Sequence, residues 1–394
     1  MSSGDALRSY DIDGPFEALA DPVAQWLDWE QQANLVGFRT STHPIHVEVT
    51  AVPRDALEIY VLPGAPDTIV DRFVRSDHVL FPRHPLNRDS TVAWFDAPTC
   101  ARWSARFTAS RTLALPGPES GDALLSLKLP TDHPHPHFLQ PEKTRLREEA
   151  LGAVQWVRTV DRIDRLLTPC SVALLVMEAL VVLVRDGETG FVVRDLRSFQ
   201  DGHYYLPALS LPWVGRQLAA RHGQSFDAFW RRSFAQGVGR AKAELFARYG
   251  LWYETPNPQN VVLQLDAGLK PTGRIVFRDL GDGECATDAF ECTDVPWSRL
   301  LCELRLETQN SFWAFGEAAD HSVEPRILES WYRAHDDAYF GELGRWFPAL
   351  APAPSIAPER RTAHWSEALR SDTGRRHIAD GFRARMSIDR THER

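Results

Sequence analysis

The chain has 394 residues, of which 43% are hydrophobic and 25% charged, a balance typical of a globular protein with a sizeable core. Its formal net charge of −9 argues against a protein that binds nucleic acid or an anionic membrane through a basic face. The five cysteines are odd in number and have no C-x-x-C spacing, which indicates reduced thiols in a cytoplasmic protein.

Four regions are expected along the chain. Residues 1–45 form a partly helical N-terminal leader, and residues 46–150 form a β-rich region that we interpret as a nucleotide cradle. Residues 151–352 form a palm-like α/β domain, and residues 353–394 form a Pro-rich linker with a charged tail that has no strong apolar face. The predicted fold class is therefore α+β, with a mixed sheet-and-helix C-terminal domain packed on a smaller β-rich region.

Short runs rich in strand-forming residues alternate with Pro, Gly and Asp in the second region. They predict strands at HVEVTAV, LEIYVL, TVAWF, RTLAL and ALLSLKL. Further along, TRLREEALGAVQWVRTVDRIDRLL has the periodicity of an amphipathic helix. The apolar segment 171–184 is too short to span a bilayer and contains Glu178, so we predict a buried helix there. A strand at FVVRDL follows it.

The clearest predicted helix runs from Ser225 to Gly250. Ser225 is a favourable N-cap, and apolar residues recur after it at three- and four-residue steps. Gly250 stands where a glycine commonly ends a helix. More helix is expected from Gly283 to about residue 350.

A β-hairpin is predicted where VVLQL and RIVF flank the turn sequence DAGLKPTG. In an antiparallel pair, opposed positions have a constant sum of residue numbers, so Asn260 and Asp279 should face each other at the open end. Gln259 and Arg278 should lie beside them. Asn and Asp oxygens can ligate Mg²⁺ on a nucleotide triphosphate, but both residues are also common in turns, so both interpretations stay open.

A second polar cluster surrounds the upstream hairpin FTASRTLALPGPESGDALLSLKLP. Its Ser110, Arg111, Thr112 and Lys128 could cradle phosphate, because hydroxyl, guanidinium and ammonium groups all donate to phosphate oxygens. The alternative is a hairpin with a solvated polar face. A loop with alternating prolines could bind a metal or carry exposed imidazoles; its histidines are His133, His135 and His137.

The order of these motifs resembles the IucA/IucC family of siderophore synthetases, which act without a nonribosomal peptide synthetase. The motifs are an HP element, SRT, LKL, a helix ending in RYGLWYE, QN before a strand, and RDLGDG, and the resemblance covers about residues 75–285. It implies an ATP- and Mg²⁺-dependent ligase that activates a carboxylate of citrate or a related acid as an acyl-adenylate. An amine or alcohol then attacks. The expected setting is cytoplasmic siderophore biosynthesis for iron acquisition, with small-molecule substrates and a possible homodimer.

The same resemblance implies roles for particular residues. Arg111, Lys128 and Glu254 would be catalytic, and Asn260 and Asp279 would hold the metal. Thr144 and Arg147 would correspond to a Thr and an Arg that the family places at a helix start. The residues expected to bind the nucleotide are Ser110, Thr112, Thr144, Arg147, Gln259, Asn260 and Arg278.

The chain departs from the family pattern at two points. The family's His between the Glu and the Gln-Asn pair is absent, because TPNP separates Glu254 from Gln259 here. The chain is also shorter than a full synthetase, mainly towards its N-terminus. Two alternatives therefore stay open: a catalytically degenerate protein that binds a nucleotide or siderophore, and a kinase-like phosphoryl or adenylyl transferase.

Overall fold

The computed structural model describes most of the chain and combines helices and strands in an α+β fold, as the sequence predicts. The segment predicted as a strand at TVAWF, Glu254 and the three loop histidines lie outside the described residues. The described residues are 21–35, 44–87, 97–115, 124–132, 144–165, 170–253, 258–285, 312, 315, 323–353, 355–374, 376–378 and 380.

The strands form three sheets. In chain order they are β1 (Ile45–Pro53), β2 (Leu57–Val61), β3 (His78–Pro82), β4 (Thr99–Phe107), β5 (Thr112–Leu115), β6 (Leu125–Lys128), β7 (Ala173–Leu175), β8 (Glu178–Val184), β9 (Gly190–Asp195), β10 (Tyr204–Pro207), β11 (Leu251–Tyr253), β12 (Val261–Leu265), β13 (Pro271–Phe277) and β14 (Gly283–Cys285).

Among the described residues, five helices have 13 to 22 residues and three are shorter. In chain order they are α1 (Pro22–Leu35), α2 (Asp67–Phe73), α3 (Arg147–Asp164), α4 (Arg216–Arg221), α5 (Phe226–Trp230), α6 (Gln236–Tyr249), α7 (Pro325–Trp346) and α8 (Pro358–Arg370). Among the described residues, none of the helices combines the length and the apolar character that crossing a bilayer requires.

The largest sheet has eight strands in the order β2-β8-β9-β6-β5-β4-β1-β3, and every neighbouring pair is antiparallel. The second sheet has the order β10-β12-β13-β7, in which only β13 and β7 run parallel. Strands β11 and β14 form a two-stranded pair. Because β8 and β9 complete the first sheet, it includes strands from both sides of the predicted division at residue 150. The domain boundaries themselves stay a prediction.

The helix predicted over residues 171–184 is wrong, because the segment forms strands β7 and β8. Strand β8 lies inside the large sheet and is buried on both faces. Leu180 and Val182 pack with α2 on one face, whereas Val181 and Leu183 pack with α3 on the other. A strand covered on both faces has a continuous apolar run, so its sequence lacks the alternation that would distinguish it from a helix.

The tail also differs from its prediction. Within it, α8 has an apolar side chain, Trp365, that is buried and stacks with Phe340 of α7 at a ring distance of 6.1 Å. Charged residues surround this single tryptophan in the sequence, so its burial cannot be recognised from the sequence pattern.

The helix predicted between Ser225 and Gly250 is confirmed as α5 and α6, joined by a π-helical turn over Arg231–Ala235. The Ser225 hydroxyl accepts the Ala228 N–H at 3.3 Å, and Gly250 adopts a left-handed φ of 70° that ends α6. Helix α6 is almost wholly buried beneath α7.

The carboxylate of Glu244 joins α6 to the start of β7. Its oxygens accept the backbone N–H groups of Ser171, Val172 and Ala173 at 2.7 to 2.9 Å. Substitution Glu244→Ala leaves these three N–H groups without their acceptor. The Ala173 N–H is buried and the other two are partly buried; since a buried unsatisfied donor costs about 1–3 kcal/mol, we expect the free energy of unfolding to fall by ~2–3 kcal/mol in urea titrations. The control Glu329→Ala removes an exposed carboxylate of α7 and should change the free energy of unfolding little. Equal losses in the two variants would contradict a stabilising role for the Glu244 contacts.

Candidate functional site

The polar residues singled out in the sequence meet in one cleft. Its walls come from the β4–β5 turn, strands β6 and β9, helix α1 and the open end of the β12–β13 hairpin. Eight predicted site residues line it, namely Ser110, Arg111, Thr112, Lys128, Gln259, Asn260, Arg278 and Asp279. They share the cleft with Trp26, Glu30, Thr108, Ala109, Ser126, Val176, Arg194 and Leu196.

The hairpin's open end places Asp279 one residue away from its predicted partner. Val261 pairs with Phe277, so the ladder continues with Asn260 opposite Arg278, whose N–H donates to the Asn260 carbonyl at 3.1 Å. The predicted direct opposition of Asn260 and Asp279 is therefore wrong by one residue. Asp279 follows the ladder with a left-handed φ of 69°, and its carboxylate reaches Lys128 and Arg194.

Asp279 is the centre of an ion network. The Lys128 ammonium donates to both of its carboxylate oxygens at 2.6 and 2.8 Å, and the Arg194 guanidinium donates to Oδ1 at 2.5 Å. Arg194 also donates through Nε to Glu178 at 2.9 Å, in a pair that the β8–β9 register places directly opposite. Burial raises the pKa of Asp279, but the charges of Arg194 and Lys128 outweigh burial and hold that pKa well below its usual range.

The start of helix α3 presents an acid to this network. Glu149 accepts from the Arg111 guanidinium at 3.1 Å and forms an ion pair with Lys128. Arg147, which the resemblance placed in the site, instead donates to Glu58 at 2.7 and 2.9 Å. Neither Arg147 nor Thr144, both of them described, is among the residues lining the cleft. The structure therefore does not bring this predicted Thr–Arg pair to the site.

Helix α1 closes the cleft on the side of the hairpin. Its Glu30 forms an ion pair with Arg278, whose Nε also donates to the Gln259 carbonyl at 3.0 Å. Burial raises the pKa of Glu30 above its usual value, although Arg278 opposes the shift. The contact links the N-terminal helix to the open end of the β12–β13 hairpin.

The HP element (His84 and Pro85) supports the loop that carries the SRT motif (Ser110–Thr112). Nε2 of His84 lies 3.0 Å from the Ser110 carbonyl, and Nδ1 accepts the Leu86 N–H at 3.3 Å. These two contacts assign the proton to Nε2, since a carbonyl can only accept. The buried imidazole of His84 thus holds the loop that carries Ser110 and Arg111.

Four charged residues of the network were not found from the sequence, namely Glu30, Glu149, Glu178 and Arg194. A usable signal existed for two of them. Glu178 and Arg194 each interrupt an apolar run, and a charge in a buried strand requires a partner. Opposite charges in neighbouring strands would have suggested the pair, once the run at Glu178 was recognised as a strand.

The donors in the cleft fit phosphate better than a metal ion. Cationic side chains stand beside the hydroxyls of Ser110 and Thr112, which suits an anion with several oxygens. Asp279, in contrast, already holds Lys128 and Arg194, and the described residues contain no group of three or more His, Cys, Asp or Glu side chains arranged to hold a metal. The magnesium site expected at Asn260 and Asp279 therefore stays a prediction.

The comparisons with known proteins concern the fold. Neither a scan against protein-family models nor a search of curated proteins finds a match. Among solved structures, the chain is similar to the aerobactin synthetase IucC from a hypervirulent pathotype of Klebsiella pneumoniae, with a TM-score of 0.54 and 16% identity. That similarity covers 82% of this chain and 65% of IucC, so the chain spans just under two thirds of the length of IucC.

Two further structures share the similarity at lower scores. ATP-bound aerobactin synthetase IucA from the same pathotype has a TM-score of 0.48 and 16% identity, over 76% of this chain and 62% of that one. The petrobactin biosynthesis protein AsbB from Bacillus anthracis str. Sterne has a TM-score of 0.48 and 14% identity, over 91% and 64% of the two chains. The IucC similarity shows a shared fold, in agreement with the expected resemblance at that level.

The charge on Asp279 should make the stability of the protein depend on pH. Its folded-state pKa lies below the unfolded value of about 3.9, so its ion pairs stabilise the fold fully above about pH 5 and lose effect as the pH falls. Asp279→Asn should lower the free energy of unfolding by about 2 kcal/mol at pH 7. The loss is limited because Lys128 and Arg194 each keep a second carboxylate. In urea titrations, the difference in the free energy of unfolding between Asp279→Asn and wild type should become smaller as the pH falls from about 5 to about 2. Asp337→Asn, at an exposed position of α7, is the matched control; a pH-independent cost for Asp279→Asn would contradict the assignment.

Proposed function

We propose that the chain is an ATP-dependent ligase that activates a carboxylic acid as an acyl-adenylate and passes the acyl group to an amine or alcohol. The observation that carries the proposal is the convergence of Arg111, Lys128 and Arg194 with two hydroxyls on one cleft. The fold shared with the aerobactin synthetase IucC supports the same class of reaction. The expected setting is cytoplasmic siderophore or other small-molecule biosynthesis, with citrate-like acids as first candidates and a homodimer as the expected assembly.

In this proposal the cleft acts mainly by electrostatics. Formation of an acyl-adenylate places additional negative charge on the α-phosphate in the transition state, and fixed cations stabilise that charge without having to reorganise. Arg111 and Lys128 would contact the phosphates, and Ser110 and Thr112 would donate from their hydroxyls. Arg194 would extend the cationic surface at the floor of the cleft. Gln259 and Asn260 would contact the nucleotide from the hairpin.

A second candidate is a protein of the same fold that binds a nucleotide or siderophore without turning it over. The specific observation in its favour is that every cation discussed above already has an acidic partner: Arg111 and Lys128 contact Glu149, Arg194 contacts Glu178, and Arg278 contacts Glu30. An anionic ligand must compete with these carboxylates. The absence of the family's His between Glu254 and Gln259 favours the same candidate.

The products of ATP separate the candidates. The protein is incubated with ATP, Mg²⁺ and panels of carboxylic acids and amines, and AMP, ADP and pyrophosphate are quantified. AMP with pyrophosphate is the expected result, because adenylation releases both. ADP would instead identify a phosphoryl transferase. Thermal stabilisation by ATP without any of these products would identify a binding protein and overturn the ligase proposal for the acids tested.

Two substitutions test whether the cleft carries the activity. Lys128→Ala and Asp279→Ala should each reduce AMP formation at least ~100-fold, because each removes a group at the centre of the charge network. Lys270→Ala removes an exposed lysine from the β12–β13 turn and should leave the rate unchanged. Circular dichroism and Tm establish that each variant is folded. Activity that survives in both cleft variants would place the active site elsewhere.

A further inference from the structure

We infer that Glu149 is a positioning residue, which holds Arg111 and Lys128 in the orientation that an anionic ligand of the cleft requires. The inference rests on the proposed function and assigns a role to a residue outside the predicted site. Glu149 contacts both cations, yet it is not among the described residues that line the cleft. Its carboxylate therefore supports the cations from behind and leaves the ligand side of the cleft to them.

The two carboxylate oxygens of Glu149 contact different cations. Oε2 accepts from Nη2 of Arg111 at 3.1 Å, and Oε1 forms the ion pair with the Lys128 ammonium. Arg111 belongs to the β4–β5 turn, whereas Lys128 ends β6, where it pairs with Thr112 across the hairpin. One carboxylate on α3 thus joins two long, flexible side chains, one from the β4–β5 turn and one from the neighbouring end of β6. Long cationic side chains lose much rotamer freedom when they bind a ligand, and a carboxylate that fixes both beforehand removes part of that cost.

The backbone of Glu149 is itself fixed by the turn that carries Asp279. A Cβ atom at Gly281 would overlap the carbonyl oxygen of Glu149, so only glycine permits this approach between the turn and helix α3. Asp279 lies two residues before Gly281 and also accepts hydrogen bonds from Lys128. The turn that carries Asp279 therefore packs directly on the start of α3, and each of these two segments contributes a carboxylate to Lys128.

A matched pair of neighbouring acids tests the inference. Glu149→Gln keeps the shape of the side chain and removes its charge, and Glu148→Gln makes the same change at an exposed position of the same helical turn. Binding of inorganic tripolyphosphate is measured by calorimetry at constant ionic strength. Glu149→Gln should weaken binding about tenfold, whereas Glu148→Gln should bind as tightly as wild type. A loss of about tenfold is the lower end of the range known for removing a residue that supports a metal ligand.

A double-mutant cycle separates positioning from a general structural role. If Glu149 acts through Arg111, then Glu149→Gln should cost less than about threefold in the Arg111→Gln background, because the two changes remove parts of one unit. Full additivity would overturn the inference, since it would indicate a role independent of Arg111. If Glu149→Gln lowers Tm by several degrees, Glu149→Asp is used in its place. The shorter acid keeps the charge but cannot reach both cations, so its affinity for tripolyphosphate should lie between those of wild type and Glu149→Gln.

The remaining outcomes distinguish this inference from the proposed function. Tripolyphosphate that binds wild type and Glu149→Gln equally would overturn the positioning role and leave the proposed function standing. Tighter binding to Glu149→Gln would also overturn it, because Glu149 would then be a competitor of the ligand. No tripolyphosphate binding to wild type or to Glu148→Gln would overturn the phosphate site of the proposed function, and this inference with it.

Discussion

The contact between Lys128 and Asp279 connects the parts of this protein on which the cleft depends. Lys128 ends a strand of the eight-stranded sheet, and Asp279 follows a strand of the four-stranded sheet, so their ion pair joins the two sheets at one point. The side chain of Lys128 is only 3% exposed. A cation buried to that extent requires compensation, and the carboxylates of Asp279 and Glu149 supply it. The location of the cleft follows from this pair, because the remaining charged groups are arranged around it.

Such a network is a poor source of stability. Removing charges from water costs several kcal/mol per ion, and well-packed apolar side chains of similar volume would often stabilise a fold as well or better. The large sheet shows that the chain can build such packing, since Leu180, Val181 and Val182 are buried with no polar group between them. Two charged side chains in the same pair of strands, Glu178 and Arg194, are therefore better explained by a requirement for fixed charge at the cleft, which Arg194 lines.

The sequence predicts those parts of the structure that depend on local patterns. The Ser225 and Gly250 termini follow from capping chemistry, and the β12–β13 hairpin follows from its turn residues. The segment at β8 was misinterpreted because burial on both faces removes the alternation that identifies a strand. The register at Asn260 was wrong by one residue because the turn sequence does not fix the pairing of the strands to a single residue, and the ladder also has an irregularity between Leu263 and Leu265. The contacts of Glu149 could not be predicted, since they depend on the start of α3 meeting the β4–β5 turn and the end of β6 in three dimensions.

The two ends of the cleft differ in how readily they can change charge. Burial raises the pKa of Glu30 on α1, whereas Arg194 and Lys128 lower that of Asp279 despite its burial. Of these two acids, Glu30 is therefore the one that gains a proton first as the pH falls. A protonated Glu30 leaves Arg278 with an uncompensated positive charge, while Asp279 keeps Lys128 and Arg194 in place. The central network therefore keeps its charges to a lower pH than the contact between Glu30 and Arg278 does.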